Sequence, residues 1–240
     1  MKTVETILPA GEILETEVVH KDVNPDQFVL VPASTLSLDD EFMCYIPKLY
    51  SEKAFKELLT EVINRGISDF YRPRLDPSFD KYGKICYQAG LRPAVGKSYN
   101  WWKDNAKGFC PEHKSRLGTK SEYVAFLGVL IKKLVASGWE VAAAWNAVCN
   151  DSRKLGHYWN PKGALQDFEP TGSREICGFC DLANAYKFLA EDKKAGGFWI
   201  ASGGYNLCGD YGPPLVQIEL FTNRDRDSEC YFTVGWLVLS

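Results

Sequence analysis

The chain has 240 residues, 45% hydrophobic and 25% charged, a composition that suits a folded protein with a substantial core. Its net charge of -3 leaves no electrostatic footprint for nucleic acid, so no nucleic-acid partner is expected. No apolar run approaches the roughly 20 residues of a membrane helix, and "MKTVETILPAGEILETEVVH" carries acids where a secretory signal needs an unbroken apolar stretch. Neither membrane insertion nor a signal peptide is expected, and the eight cysteines read as buried or free thiols.

Residues 1–44 read as an extended arm. "QFVLVPASTLSL" is its best strand, punctuated by Pro25 and Pro32, and an oligomerisation or attachment role is expected for it. "SEKAFKELLTEVINRG" is the first helix, with Ser51 as cap, Phe55, Leu58, Leu59 and Ile63 at helical spacing, and Gly66 as stop. Residues 70–109 read as an ordered, aromatic-rich loop region. In its "YNWWKD", one of Trp101 and Trp102 can pack inward and the other face a partner.

"GTKSEYVAFLGVLIKKLVASG" carries the strongest helix signal. Thr119 and Glu122 form a capping box, Gly138 ends the run, and Lys132 and Lys133 read as a solvated face. "WEVAAAWNAVCND" predicts a second helix on Val141, Trp145 and Val148, and "GFCDLANAYKFLAED" a third around residues 181–190. "GFWIAS", "PLVQIELF" and "YFTVGWLVL" then read as strands. Helices in the middle and strands at the end predict an α+β fold.

Three stretches carry a resemblance. "RLGTKSEYVA" (Arg116 to Ala125) is similar to R-L-P-T-E-A-E-W-E-Y-A, with Gly118 for Pro and Tyr123 for Trp. "GFCDLANAYKF" is similar to G-L-Y-D-M-x-G-N-V-W-E-W, and "GGFWIASGG … VGWLVL" to the closing R-G-G-S-W … G-F-R strands. In this order they resemble the C-type-lectin-like fold in the branch shared with formylglycine-generating enzymes. The resemblance covers about residues 110–240. It implies helices packed on a small, mostly antiparallel sheet in a domain spanning 45–240. It also implies an Asp and an Asn, here Asp181 and Asn184, that knit a loop to the sheet. From the residues alone, Asp181 can cap a following helix and Asn184 can bond a turn.

Between the last strands lies "GGYNLCGDYGPPLVQIELFTNRDRDSECYFTVGW", a run without period. Within the lectin-like fold it resembles the variable region of proteins diversified by retroelements, often phage receptor-binding proteins. There, mutagenesis of adenines turns AAC codons into NNC codons, which cannot encode Lys, Glu, Gln, Met or Trp. Residues 203–233 contain only Gln217, Glu219 and Glu229 from that set.

The resemblance implies non-catalytic binding, through a variable region of about 201–234, of a protein or glycan ligand on a target surface. The expected contacts are Tyr205, Asn206, Leu207, Cys208, Asp210, Tyr211, Phe221, Asn223, Arg224, Asp225, Arg226, Asp227, Ser228, Cys230 and Tyr231. Rings and Arg would supply contact area, and short polar side chains adaptable hydrogen bonds. Trp199 and Trp236 are expected as core anchors. The resemblance further implies a phage virion or bacterial cytoplasmic setting and a possible homo-oligomer.

No catalytic residue, cofactor or metal is assigned. The enzymatic alternative is a formylglycine-generating-type copper oxidase acting on a peptide cysteine through Cys208. Its family's second nearby cysteine is missing, the next being Cys230. His20, His113 and His157 stand apart and do not make the His/His/Glu set of the related iron enzymes. The metal alternative joins Cys110 and His113 of "CPEH" to Cys177 and Cys180 of "CGFC" as a tetrahedral zinc set.

Overall fold

A computed structural model describes residues 23–24, 26–110, 113–150, 170–172, 175–182, 185–201, 215–222, 226–228 and 233–239, with the backbone alone of 4–7 and 13–16. The chain is mixed α and β. β1 (Val4–Ile7) and β2 (Ile13–Thr16) form an antiparallel hairpin. β3 (Phe28–Val31) stops at Pro32, where the backbone turns into two 3-10 segments, Ala33–Thr35 and Glu41–Cys44. α1 (Tyr50–Arg65) leads into β4 (Phe70–Pro73), followed by the short hairpin of β5 (Ser78–Phe79) and β6 (Ile85–Cys86). Next come α2 (Tyr99–Asn105), β7 (Ser115–Leu117), α3 (Lys120–Ala136) and α4 (Val141–Cys149). β8 (Glu175–Ile176) pairs with β9 (Phe179–Cys180), and the chain ends in β10 (Tyr186–Asp192), β11 (Gly197–Ala201), β12 (Ile218–Thr222), β13 (Thr233–Gly235) and β14 (Leu237–Leu239).

α3 organises the core. Thr119 Oγ1 accepts the Glu122 amide at 3.2 Å, and Glu122 returns the favour by accepting the Thr119 amide at 2.7 Å. The same carboxylate holds Arg116 by two bonds of 2.9 and 2.6 Å, which couples the helix start to β7. Every residue from Glu122 to Ile131 is buried, so α3 is an interior helix apolar on all sides rather than an amphipathic surface one. α1 and α4 pack on one side of it, and Trp145 of α4 closes that layer with its indole N–H on the Phe42 carbonyl.

The strands form two four-stranded sheets, ordered β3-β4-β14-β7 and β12-β11-β10-β13. All pairs are antiparallel except β10 with β13. The second sheet lies between α2 and α3: Phe188 and Phe198 face the α2 side, while Leu189 and Trp199 face the α3 side. Only Trp236 separates β13 from β14, so the chain changes sheets at this residue. Its amide donates to the Phe188 carbonyl at 3.1 Å, and its carbonyl accepts the Gly118 amide at 2.8 Å. Its ring is buried edge-on against Phe70 and Tyr123. A Cβ at Gly118 would stand 2.1 Å from that indole, which is why glycine precedes the capping threonine.

Several sequence expectations are corrected. Residues 181–190 do not form a helix: β10 is a strand whose two faces are both buried, so no alternation marks it, and pairing with β11 and β13 decides its state. Nor does Asp181 cap a helix; it sits at φ 60°, with its carboxylate turned onto backbone amides. The first helix starts one residue before Ser51, because Glu52 takes the Lys48 and Leu49 amides and Ser51 bonds Asn150 instead.

Lys132 and Lys133 are not a solvated face. Lys132 donates to the Thr35 carbonyl and pairs with Asp40, and Lys133 lies over the Phe179 ring. The aromatic-rich loop contains a helix, α2, capped by Ser98 Oγ, which accepts the Trp101 amide at 3.2 Å. The residues expected as an arm up to 44 join the main body by β3: Val31, Ala33, Leu36, Phe42 and Met43 lie in the core around α3.

Candidate functional site

β11 and β12 form a hairpin in register from Gly197↔Thr222 to Ala201↔Ile218, with β12 at the sheet's outer edge. Along β12 the side chains emerge: Glu219, Leu220 and Thr222 are exposed, whereas Phe221 is half-buried. Phe221 stacks on Phe198 at 5.9 Å, and Phe198 in turn stacks on Tyr99 of α2 at 4.2 Å. Phe221 is therefore the end of a ring column that reaches the interior, and it joins the surface to the core.

Past β12 the chain is tied down again. Asn100 donates its amide to the Arg226 carbonyl at 3.1 Å and its side-chain N–H to Asp227 at 2.8 Å. The Arg226 guanidinium donates to Glu191 of β10 at 2.7 Å, with Lys103 on the other carboxylate oxygen at 3.2 Å. These hydrogen bonds, from Arg226 first and then Lys103, hold the Glu191 carboxyl below its ordinary range, and Glu191 raises Arg226 in return. Ser228 is exposed beside them. Tyr205, Asn206, Leu207, Cys208, Asp210, Tyr211, Asn223, Arg224, Asp225, Cys230, Tyr231 and Asn184 lie outside the described residues.

Both ends of the irregular run converge on one residue. Ala201, the last of β11, pairs with Lys187 of β10, and Val234 of β13 pairs with the same Lys187 from the opposite side. Lys187 is buried, as are Asp76, Arg72 and Asp181. Its ammonium bonds the Asp76 carboxylate and the Asp181 carbonyl, the latter at 3.3 Å. Arg72 stands 3.5 Å from Asp76 and spreads over the Phe126 and Phe179 rings.

Asp181 accepts the amides of Gly172 at 2.9 Å and Asp76 at 3.1 Å. Two cations and two carboxylates thus balance beneath the point where the run leaves and re-enters the sheet. Burial, and then the neighbouring Asp76, push the Asp181 carboxyl up to about 6, while burial lowers both Lys187 and Arg72. Sequence reasoning missed Arg72, Asp76 and Lys187, because nothing local marks a lysine in "YKFLA" as interior.

Trp236 is buried as an anchor, whereas Trp199 is half-buried and carries the Lys120 ammonium 4.0 Å above its ring. Of the α2 pair, Trp102 is fully buried and Trp101 half-buried, stacked edge-on against Phe79. The zinc set is not assembled: among the described residues no three His, Cys, Asp or Glu side chains are grouped to hold a metal ion. Cys177 occupies the β8–β9 turn with φ 54°, and Cys180 is a buried thiol pushed up to about 11, chiefly by burial. The oxidase alternative rests on Cys208, outside the described residues. No described helix is long and apolar enough to cross a membrane.

Comparison with family models, curated proteins and solved structures gives no match to this chain.

Proposed function

We propose that this chain is a non-catalytic recognition protein, in which a C-type-lectin-like body displays the run of about 201–234 as a diversified ligand-contacting surface. The observation that carries the reading is the shared anchorage at Lys187. A run free to vary needs ends that do not move, and here its entry at Ala201 and its exit at Val234 flank one buried, fully charge-paired residue. Helices packed on mostly antiparallel strands, with β14 seated between β4 and β7, support the lectin-like assignment. The exposed side chains of β12 and Ser228, with Asp227 held by Asn100, form the described part of the contact surface. The ligand is a protein or glycan on a target surface, and the setting a phage or prophage product.

Sequencing the coding region of residues 195–240 across a natural population carrying this gene tests the reading. Substitutions concentrated at NNC codons between 202 and 233, with Phe198, Trp199, Val234 and Trp236 unchanged, are the expected result. A uniform run, or variation spread evenly through β10, β11 and β14, would sink it.

A further inference from the structure

The stretch from β5 through α2 runs against the charge of the whole chain. Residues 79–109 hold six cations, Lys81, Lys84, Arg92, Lys97, Lys103 and Lys107, against two acids, Asp80 and Asp104, while the net charge is -3. Asp80 is engaged by backbone: one of its carboxylate oxygens accepts the Tyr82 and Lys84 amides, each at 2.8 Å. Asp104 is exposed on α2, about one turn beyond Trp101. Lys103 pairs with Glu191, whereas Lys81, Lys84, Lys97 and Lys107 have no carboxylate within 4 Å among the described residues.

Two of these lysines stand over aromatic rings at the surface. Lys97 lies 5.3 Å from the Trp101 ring centre and 5.6 Å from that of Phe79, and the two rings meet edge-on at 6.1 Å. Lys81 lies 4.9 Å from the ring centre of Tyr82, a residue that stays 74% exposed. Both groups are held in place. Phe79 and Trp101 are half-buried against the core cluster that contains Tyr99 and Trp102. Tyr82 sits in the β5–β6 turn, which Asp80 closes through those two amides and through its own amide on the Lys84 carbonyl at 2.8 Å.

Each group offers a ligand two things at once. The negative face of a ring attracts the slightly positive C–H hydrogens of a flat apolar surface, and the ammonium beside it takes an anion in a charge-assisted hydrogen bond. A pyranose bearing a carboxylate or sulfate has both features on one unit, and a polymer of such sugars repeats them along its length. An acidic peptide brings the anions without the flat face. A nucleic acid brings both, but its phosphates, one per about 1.7 Å of duplex, meet a chain of net negative charge. Asn100 of the same helix bonds Arg226 and Asp227, so the patch adjoins the end of the irregular run.

We propose that the ring-and-lysine surface of the β5–β6 turn and the start of α2 binds an acidic polysaccharide, as a fixed contact beside the run of about 201–234. The proposal stands whether or not that run is diversified.

Equilibrium binding of the full chain to immobilised polygalacturonate tests it, with poly-glutamate, single-stranded DNA and neutral dextran as the other arms. The unaltered chain is expected to bind polygalacturonate more tightly than any of the other three. Lys81→Gln/Lys97→Gln is expected to weaken that binding about tenfold or more, because each lost ammonium removes a hydrogen bond to a charged group. Tyr82→Ser is expected to weaken it about threefold, through the lost ring, and Asp104→Asn to tighten it by removing a like charge. Lys48→Gln/Lys53→Gln, two exposed lysines at the start of α1, is the charge control and is expected to change nothing. All variants are expected to keep the melting temperature of the unaltered chain. Failure to bind polygalacturonate overturns the proposal, and so does poly-glutamate or DNA binding of equal strength. Binding that survives either the Lys81→Gln/Lys97→Gln or the Tyr82→Ser change also overturns it. An equal loss in Lys48→Gln/Lys53→Gln would do the same, since net charge alone would then account for the binding.

Discussion

The second sheet differs sharply between its two edges. β13, at one edge, is buried throughout and runs through Trp236 into the centre of the first sheet. β12, at the other, exposes Glu219, Leu220 and Thr222, and touches the interior through the ring column below Phe221. One fold thus contains a region where every side chain is determined by its neighbours and a region where few are. The difference lies in cover: β13 continues into the first sheet, whereas β12 pairs, among the described residues, on one side only, with β11.

The largest effects are expected at the buried edge, and two substitutions there separate shape from charge. Trp236→Ala should cost about 3–5 kcal/mol in urea unfolding, because it opens a large cavity between Phe70, Tyr123 and Phe126. Asp76→Ala should cost a similar amount, about 3–5 kcal/mol, by leaving Arg72 and Lys187 buried without their shared carboxylate. The conservative variants split the two causes. Trp236→Phe should recover much of the loss, whereas Asp76→Asn should recover little, since it restores volume but not charge. Equal rescue at both sites would mean that the buried charges contribute only through their bulk.

Asp181 gives a pH test of the same region. Its carboxyl is raised to about 6 in the folded chain, against about 3.9 in an unfolded one. The folded state therefore holds this proton more tightly, so the associated stability is present below about pH 4 and is lost as pH rises to about 6. Asp181→Asn should flatten that part of the stability profile while still accepting the amides of Gly172 and Asp76. An unchanged slope between those pH values would assign the dependence to another group.

The smallest effects belong to the exposed edge. Leu220→Ser should shift stability by about 0.5 kcal/mol or less, because its side chain is exposed. If that change unfolds the protein, β12 belongs to the core and the contrast between the two edges is wrong.

The sequence carried much of this in local signals. The capping box of Thr119 and Glu122, the helical spacing in α1 and α4, and the strands at 197–201, 218–222 and 233–239 follow from patterns a few residues long. The candidate surface was legible as a run without period, and its described residues, Phe221 and 226–228, sit at the sheet edge and beside α2. Short signals also misled. "NAYKFLAED" has helix-forming residues, and only its two flanking strands make it β10. α2 stayed hidden inside an aromatic-rich stretch although Ser98 stood ready to cap it.

What the sequence determined by itself, then, was the set of elements whose hydrogen bonds and caps close within a few residues. What the tertiary structure alone decided was the fate of groups whose partners are remote. Lys187 lies 111 positions from Asp76, and Asp181 lies 105 from the same residue's amide. A charge can be buried only when another group compensates it, and when that group is a hundred residues away no local pattern announces it. The same holds for Gly118, whose missing side chain makes room for an indole far along the chain, at Trp236.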